Sequence, residues 1–154
     1  MAPADTSDID ADSVIVAARR WIGTPYHRRG CKRGSGADCL GLLRGIWADL
    51  YGTCVGDIPV YSDDWLETGR RDLLIERLDQ TLEARTVSPL LPGHVLAFRF
   101  GRNNLSKHVG IVSALSGSPK FIHAYCRFGV VETTLDPTWQ RRISAQFAFP
   151  ARSI

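Results

Sequence analysis

Three side chains in this 154-residue sequence have the types and settings that nucleophilic acyl chemistry needs: Cys39, His108 and His123. Cys39 follows Asp38, a good helix cap, so its sulfur falls in the first turn of a predicted helix, against unpaired backbone N–H groups and the positive end of the macrodipole. Both favour thiolate over thiol and make the sulfur a nucleophile. The preceding stretch adds Arg28, Arg29, Lys32 and Arg33, whose positive field acts in the same sense if any of them folds back. A thiolate nucleophile also needs an imidazole within hydrogen-bond reach and a second polar group to hold that imidazole's tautomer. His108 opens the run His108-Val109-Gly110-Ile111-Val112, and His123 sits inside Phe121-Ile122-His123-Ala124-Tyr125. As adjacent antiparallel strands these runs place both imidazoles on one sheet face, with Gly110 leaving that face open beside His108. A solitary cysteine on an amphipathic helix is more often a small core residue, and a solitary histidine a half-buried structural one. The conjunction of the three is what points to catalysis.

The elements that must position these groups follow from periodicity. Residues Met1 to Ala11 read as a flexible tail, and 12–154 as one domain. Asp12 or Ser13 caps a first helix carrying Val14, Ala17, Ala18 and Trp21 on one side, which Gly23 and Pro25 end. Tyr26 to Gly36 has the composition of an irregular basic loop. A second helix starts at Asp38 and buries Leu40, Leu43, Ile46, Trp47 and Leu50 before Gly52 stops it. A third spans roughly Arg71 to Ala84, with Leu74, Leu78 and Leu82 inward. Beyond Pro92 the period changes to that of strands: Val95 to Phe100, His108 to Ser113, Lys120 to Tyr125, Val130 to Thr134 and Ile143 to Phe149. Helices followed by about five antiparallel strands make an α+β domain with N-terminal helices packed on a C-terminal sheet.

Composition narrows the classes. Hydrophobic residues make up 44% and charged residues 23%, an ordinary globular balance. A net charge of +3 is no nucleic-acid signature. Runs such as Val14 to Ala18 fall far short of the roughly 20 apolar residues of a membrane span. Met1 to Asp12 has neither a basic leader nor an apolar core, so the expectation is cytoplasmic synthesis without a signal peptide. Four cysteines, Cys31, Cys39, Cys54 and Cys126, are then expected to be reduced. Their spacing includes no Cys-x-x-Cys pair, and no His-x-x-x-His pair occurs, which argues against a zinc module. Trp21, Trp47, Trp65 and Trp139 read as core or interface anchors.

Gly23-Thr24-Pro25-Tyr26, Asp38-Cys39-Leu40-Gly41-Leu42, His108-Val109-Gly110-Ile111 and His123-Ala124, in this order, resemble the NlpC-type cell-wall cysteine peptidases over most of the chain. The resemblance implies a reduced papain-like fold and cleavage of peptidoglycan stem peptides between D-glutamate and the diamino acid that follows. By position it makes Cys39 the nucleophile, His108 the general base and acid, and His123 the group that orients His108. Tyr26 then lies beside the cysteine, and Asp38, Arg28 and Arg29 are candidates for substrate contact, the arginines because guanidinium grips carboxylates in two-pronged fashion.

Asp64-Trp65 with Thr68-Gly69-Arg70 looks like the subgroup encoded with phage tails and gene-transfer particles, which would carry the protein to the periplasm or cell wall as part of a virion or tail-like particle. Two departures from the family pattern stand out: Leu40 where many relatives have serine, and Pro92-Gly93-His94 where the usual run is Pro-Gly-Asp. The expected chemistry is thiolate attack, oxyanion stabilisation by N–H groups at the helix start and proton delivery from His108, with no metal or organic cofactor. Two alternatives keep the same fold: a structural tail protein without catalysis, and an acyl-transfer enzyme whose acyl-enzyme is resolved by an amine.

Overall fold

The computed structural model describes residues 9–54, 72–101 and 104–152; the Asp64-Trp65 and Thr68-Gly69-Arg70 stretches lie outside them. Helix α1 runs Ala11–Arg19 and is capped by Asp10, whose carboxylate accepts from the Ser13 N–H at 2.7 Å. The cap thus stands earlier than Asp12 or Ser13, and Ile9 packs against the core rather than trailing from it. The stretch expected to be an irregular loop contains a short antiparallel ribbon, β1 (Cys31–Lys32) and β2 (Gly36–Ala37). Two-residue strands are too short to leave a periodic signal in sequence.

Helix α2, Cys39–Tyr51, has the expected limits: Asp38 caps it and Gly52, at φ 75°, ends it in the left-handed conformation. Helix α3, Leu73–Thr81, is shorter than predicted at both ends. Leu74 and Leu78 are buried in it, but Leu82 is already extended and leads into β3, Glu83–Arg85. That strand is exposed along its whole length, so no hydrophobic alternation announces it. Strands β4 (Val95–Phe100), β5 (Leu105–Ala114), β6 (Lys120–Tyr125), β7 (Gly129–Thr134) and β8 (Ile143–Ala148) follow, with a short helix α4, Pro137–Arg141, opened by Asp136 and Pro137.

The six strands form one antiparallel sheet in the order β3-β8-β4-β5-β6-β7, one strand more than expected. Alternation along the strands divides the apolar residues into two layers. Val95, Ala97, Val109, Ile111, Ile122 and Ala124 face α1 and α2 in the main core, whereas Leu96, Phe98, Val112 and Phe121 form a second cluster with Leu135 and Trp139. His94 takes the place of the familiar aspartate with a contact of its own, its Nδ1–H donating to Gln146 Oε1 at 3.1 Å. No helix among the described residues is long and apolar enough to cross a membrane.

Helix α2 is seated by a backbone approach that only glycine permits. A Cβ at Gly41 would lie 1.6 Å from the Gly30 carbonyl oxygen, and the obstacle is main chain that cannot swing aside. Gly41→Ala is expected to lose about 3 kcal/mol or more of stability, read as a lowered urea midpoint, while an alanine at the exposed α1 position Val16 changes it far less.

Candidate active site

The start of α2, the start of β5 and the end of β6 converge on a cavity of about 280 Å³ lined by Tyr26, Cys39, Phe100, Lys107, His108, Ala124, Tyr125 and Cys126. A larger cavity of about 440 Å³, bordered by Trp47, Tyr51 and Arg152, holds neither thiol nor imidazole. Chemistry therefore selects the smaller one. Asp38 fixes the helix start: Oδ1 accepts from the Gly41 N–H at 2.8 Å and Oδ2 from the Arg29 N–H at 2.7 Å. With both oxygens engaged and only 3% of the residue exposed, Asp38 serves here as a helix cap and loop clasp. Arg28 and Arg29 are not among the described residues that line the cavity.

Tyr26 reaches the cavity because Gly23-Thr24-Pro25-Tyr26 runs beside β7, tied by Gly23 N–H to Val130 O at 3.0 Å and Val130 N–H to Thr24 O at 2.9 Å. Its hydroxyl is pushed up to about 12, first by burial and then by the negative charge that Cys39 and Asp38 carry when ionised.

His108 and His123 lie on the same sheet face, and His108 Nε2 stands 2.7 Å from His123 Nδ1. His123 Nε2 in turn contacts Thr133 Oγ1 at 2.8 Å. The contacts require one consistent polarity along the chain of groups. If His108 Nε2–H donates to His123 Nδ1, then His123 Nε2–H donates to the threonine oxygen, and His108 Nδ1 is left as a free lone pair on the ring that borders the Cys39 cavity. Thr133 was not singled out from sequence. The signal lies in the hairpin register: His123 pairs with Val131 and Phe121 with Thr133, so Thr133 is a diagonal neighbour of the imidazole on the same face.

Gly110 serves differently from the expectation. The face beside His108 is filled, because a Cβ at Gly110 would stand 2.7 Å from a Phe121 ring carbon and 3.2 Å from His123 Cβ. The missing side chain lets β6 bring His123 in. Around the two imidazoles stand Phe98, Phe121, Tyr125 and Trp139, with ring centroids 4.2 Å apart for Phe121 and His123 and 5.2 Å for Trp139 and His123. At the rim Phe128 is 67% exposed and stacks on Tyr125.

These walls remove water, and the proton affinities follow. Burial holds both imidazoles well below their ordinary range, and the charge of His123 adds to the effect on His108. Burial pushes the Cys39 thiol up to about 12, with the Asp38 carboxylate acting in the same direction. Hydrogen bonds from the N–H groups of Val109, Leu40 and Cys39 itself oppose this but do not outweigh it. Burial thus favours a neutral thiol beside neutral imidazoles. Burial therefore works against the thiolate that the helix position favours, and it outweighs the N–H groups at the helix start. Among the described residues, no group of three or more His, Cys, Asp and Glu is arranged to hold a metal ion, and all four cysteines are free.

Two outcomes follow. An unfolded histidine ionises near 6.5 and these two do so lower, so the unfolded chain binds more protons as pH falls below that value, and folding stability declines there. The urea midpoint of the wild type is expected to drop between pH 7 and pH 4 more than that of His108→Gln/His123→Asn. Thr133→Val is expected to reduce any turnover by about tenfold with restoration by Thr133→Ser, since only the hydroxyl fixes the His123 tautomer.

No family profile matches the chain. The curated protein "Probable endopeptidase NlpC" of Escherichia coli K12 is 29% identical over 138 residues, covering 85% of this chain and 77% of that one. Among solved structures, the NlpC/p60 domain of the peptidoglycan hydrolase SagA aligns with a TM-score of 0.59 at 22% identity, over 92% of this chain and all of that domain. An NlpC/P60 family protein from Bacillus cereus aligns with a TM-score of 0.64 at 19% identity, over 95% of this chain and 42% of that one. The α+β architecture built here, with its helices on an antiparallel sheet, is the papain-like fold of the NlpC/P60 peptidases.

Proposed function

We propose that this protein is a cysteine peptidase that hydrolyses amide bonds in peptidoglycan stem peptides, at the bond between D-glutamate and the diamino acid. The observation that carries the reading is the ordered sequence of groups from the Cys39 cavity through His108 and His123 to Thr133, with contacts of 2.7 and 2.8 Å between the last three. The names of the similar proteins, an endopeptidase and a peptidoglycan hydrolase, supply the substrate class.

The mechanism follows from the neutral resting pair. As Cys39 Sγ attacks the amide carbonyl carbon, its proton passes to His108 Nδ1, and the imidazolium that forms is held through Nε2–H by His123. The N–H groups of Cys39 and Leu40, which already point at the sulfur, face the developing oxyanion, and one such donor is typically worth about 3–4 kcal/mol of barrier. His108 then protonates the leaving amine, and the same imidazole activates the water that cleaves the thioester. A low imidazole pKa suits this cycle, because the base stays unprotonated in mildly acid solution.

Delivery on a phage-tail-like particle extends the reading and rests on the sequence resemblance of the Asp64 to Arg70 stretch. A non-catalytic tail role and acyl transfer to an amine remain the alternatives to be separated by assay.

Purified peptidoglycan incubated with the protein is expected to release fragments ending in D-glutamate, identified by mass spectrometry. Cys39→Ala should lower the rate by about 10⁴-fold or more, and His108→Ala comparably. Equal release by wild type and Cys39→Ala would remove the nucleophile assignment. Activity of the wild type should persist at pH 5.5, where an ordinary imidazole is largely protonated.

A further inference from the structure

Lys107 carries the single formal charge among the side chains described as lining the Cys39 cavity, and nothing in the mechanism uses it. Its position comes from an irregularity in the sheet. Phe98 of β4 pairs with His108, but the next residue, Arg99, pairs with Ser106, so Lys107 is the extra residue of a bulge. Consecutive strand residues ordinarily point to opposite faces; a bulge bends and twists the strand, and here Lys107 and His108 border one cavity.

The bulge is anchored on its far side. Asp72 Oδ2 accepts from the Ser106 N–H at 3.1 Å and from Ser106 Oγ–H at 2.7 Å, so the strand cannot slide to erase the extra residue without losing both bonds. Gly101 makes room for the ammonium group, since a Cβ there would stand 2.9 Å from Lys107 Nζ. Lys107 is half-buried, and among the described residues no carboxylate pairs with it. Asp38, at the start of α2, accepts from two backbone N–H groups, and Asp72 accepts from Ser106.

A half-buried lysine that has no carboxylate partner among the described residues, in a cavity otherwise walled by aromatic, thiol and imidazole groups, is complementary to an anion on the substrate. We propose that Lys107 is a specificity residue that binds a free carboxylate carried next to the scissile amide. This rests on the hydrolase reading above and deepens it: the preferred stem peptide keeps the D-glutamate α-carboxylate free, and the peptide amidated at that carboxylate, which carries isoglutamine, is the poorer substrate.

The test compares two synthetic peptides, L-alanyl-γ-D-glutamyl-diaminopimelate and its isoglutamine counterpart. Wild type should cut the acid with kcat/KM roughly tenfold above the amide, the size expected for one charge-assisted hydrogen bond. Lys107→Met should bring the acid down to the level of the amide and leave the amide within about twofold; Lys107→Arg should keep most of the preference. In parallel, calorimetric titration of both peptides into Cys39→Ala and Cys39→Ala/Lys107→Met reads binding without turnover, and the same loss of discrimination is expected. Equal loss for both peptides on Lys107→Met, or a wild type and a Cys39→Ala protein that fail to discriminate, overturns the assignment of Lys107. Discrimination in binding with no cleavage by wild type would instead retain Lys107 as an anion contact and overturn the hydrolase reading. Lys107→Gln, with an unchanged thermal midpoint, guards against a folding effect of methionine.

Discussion

Two imidazoles hydrogen-bonded to one another behind an aromatic wall form the constraint on which the site depends. At 2.7 Å between His108 Nε2 and His123 Nδ1, a single proton occupies the space between the rings. Placing a positive charge on both is disfavoured by their mutual repulsion and by the loss of water around them. Phe98, Phe121 and Trp139 impose that loss. The consequence is a pair of imidazoles whose neutral forms are favoured. The N–H groups of Cys39 and Leu40 at the start of α2 and of Val109 are directed toward the Cys39 sulfur and favour negative charge there.

Much of the surrounding architecture serves to hold this arrangement. Asp38 both caps α2 and clasps Arg29, so the helix that carries Cys39 and the loop in front of it move as one unit. Gly41 allows the Gly30 carbonyl to approach the first turn, and Gly110 allows β6 to approach β5 at the height of His108. Both glycines act through what their missing side chains would displace, not through backbone flexibility. The register shifts of β4 against β5 and β8 both fall beside Phe98, which places that ring against His108. A further register shift, between Val112 and Ala114 of β5 against β6, lies at the other end of the strand from His108.

Electrostatics divide the site into two regions. The deep part, with its thiol and imidazoles, is neutral at rest and desolvated. The outer part carries Lys107 and the exposed ring of Phe128 stacked on Tyr125.

From sequence alone, the limits of α2, the run of strands after Pro92 and the three residues Cys39, His108 and His123 were legible, because each depends on local chemistry: a cap, a period, a residue type. The resemblance to NlpC-type peptidases likewise rests on short contiguous runs. The ribbon β1–β2 and the strand β3 were not legible, since elements of two or three exposed residues have no pattern to read. Nor were Thr133 and Lys107, whose places follow from hairpin register and from a bulge that no local motif encodes. Burial acts on the Cys39 thiol in the opposite direction to its position in the helix. A helix start contributes its dipole wherever it is found, but the water removed from around a sulfur depends on which strands and rings close over it, and that is decided only when the chain has folded.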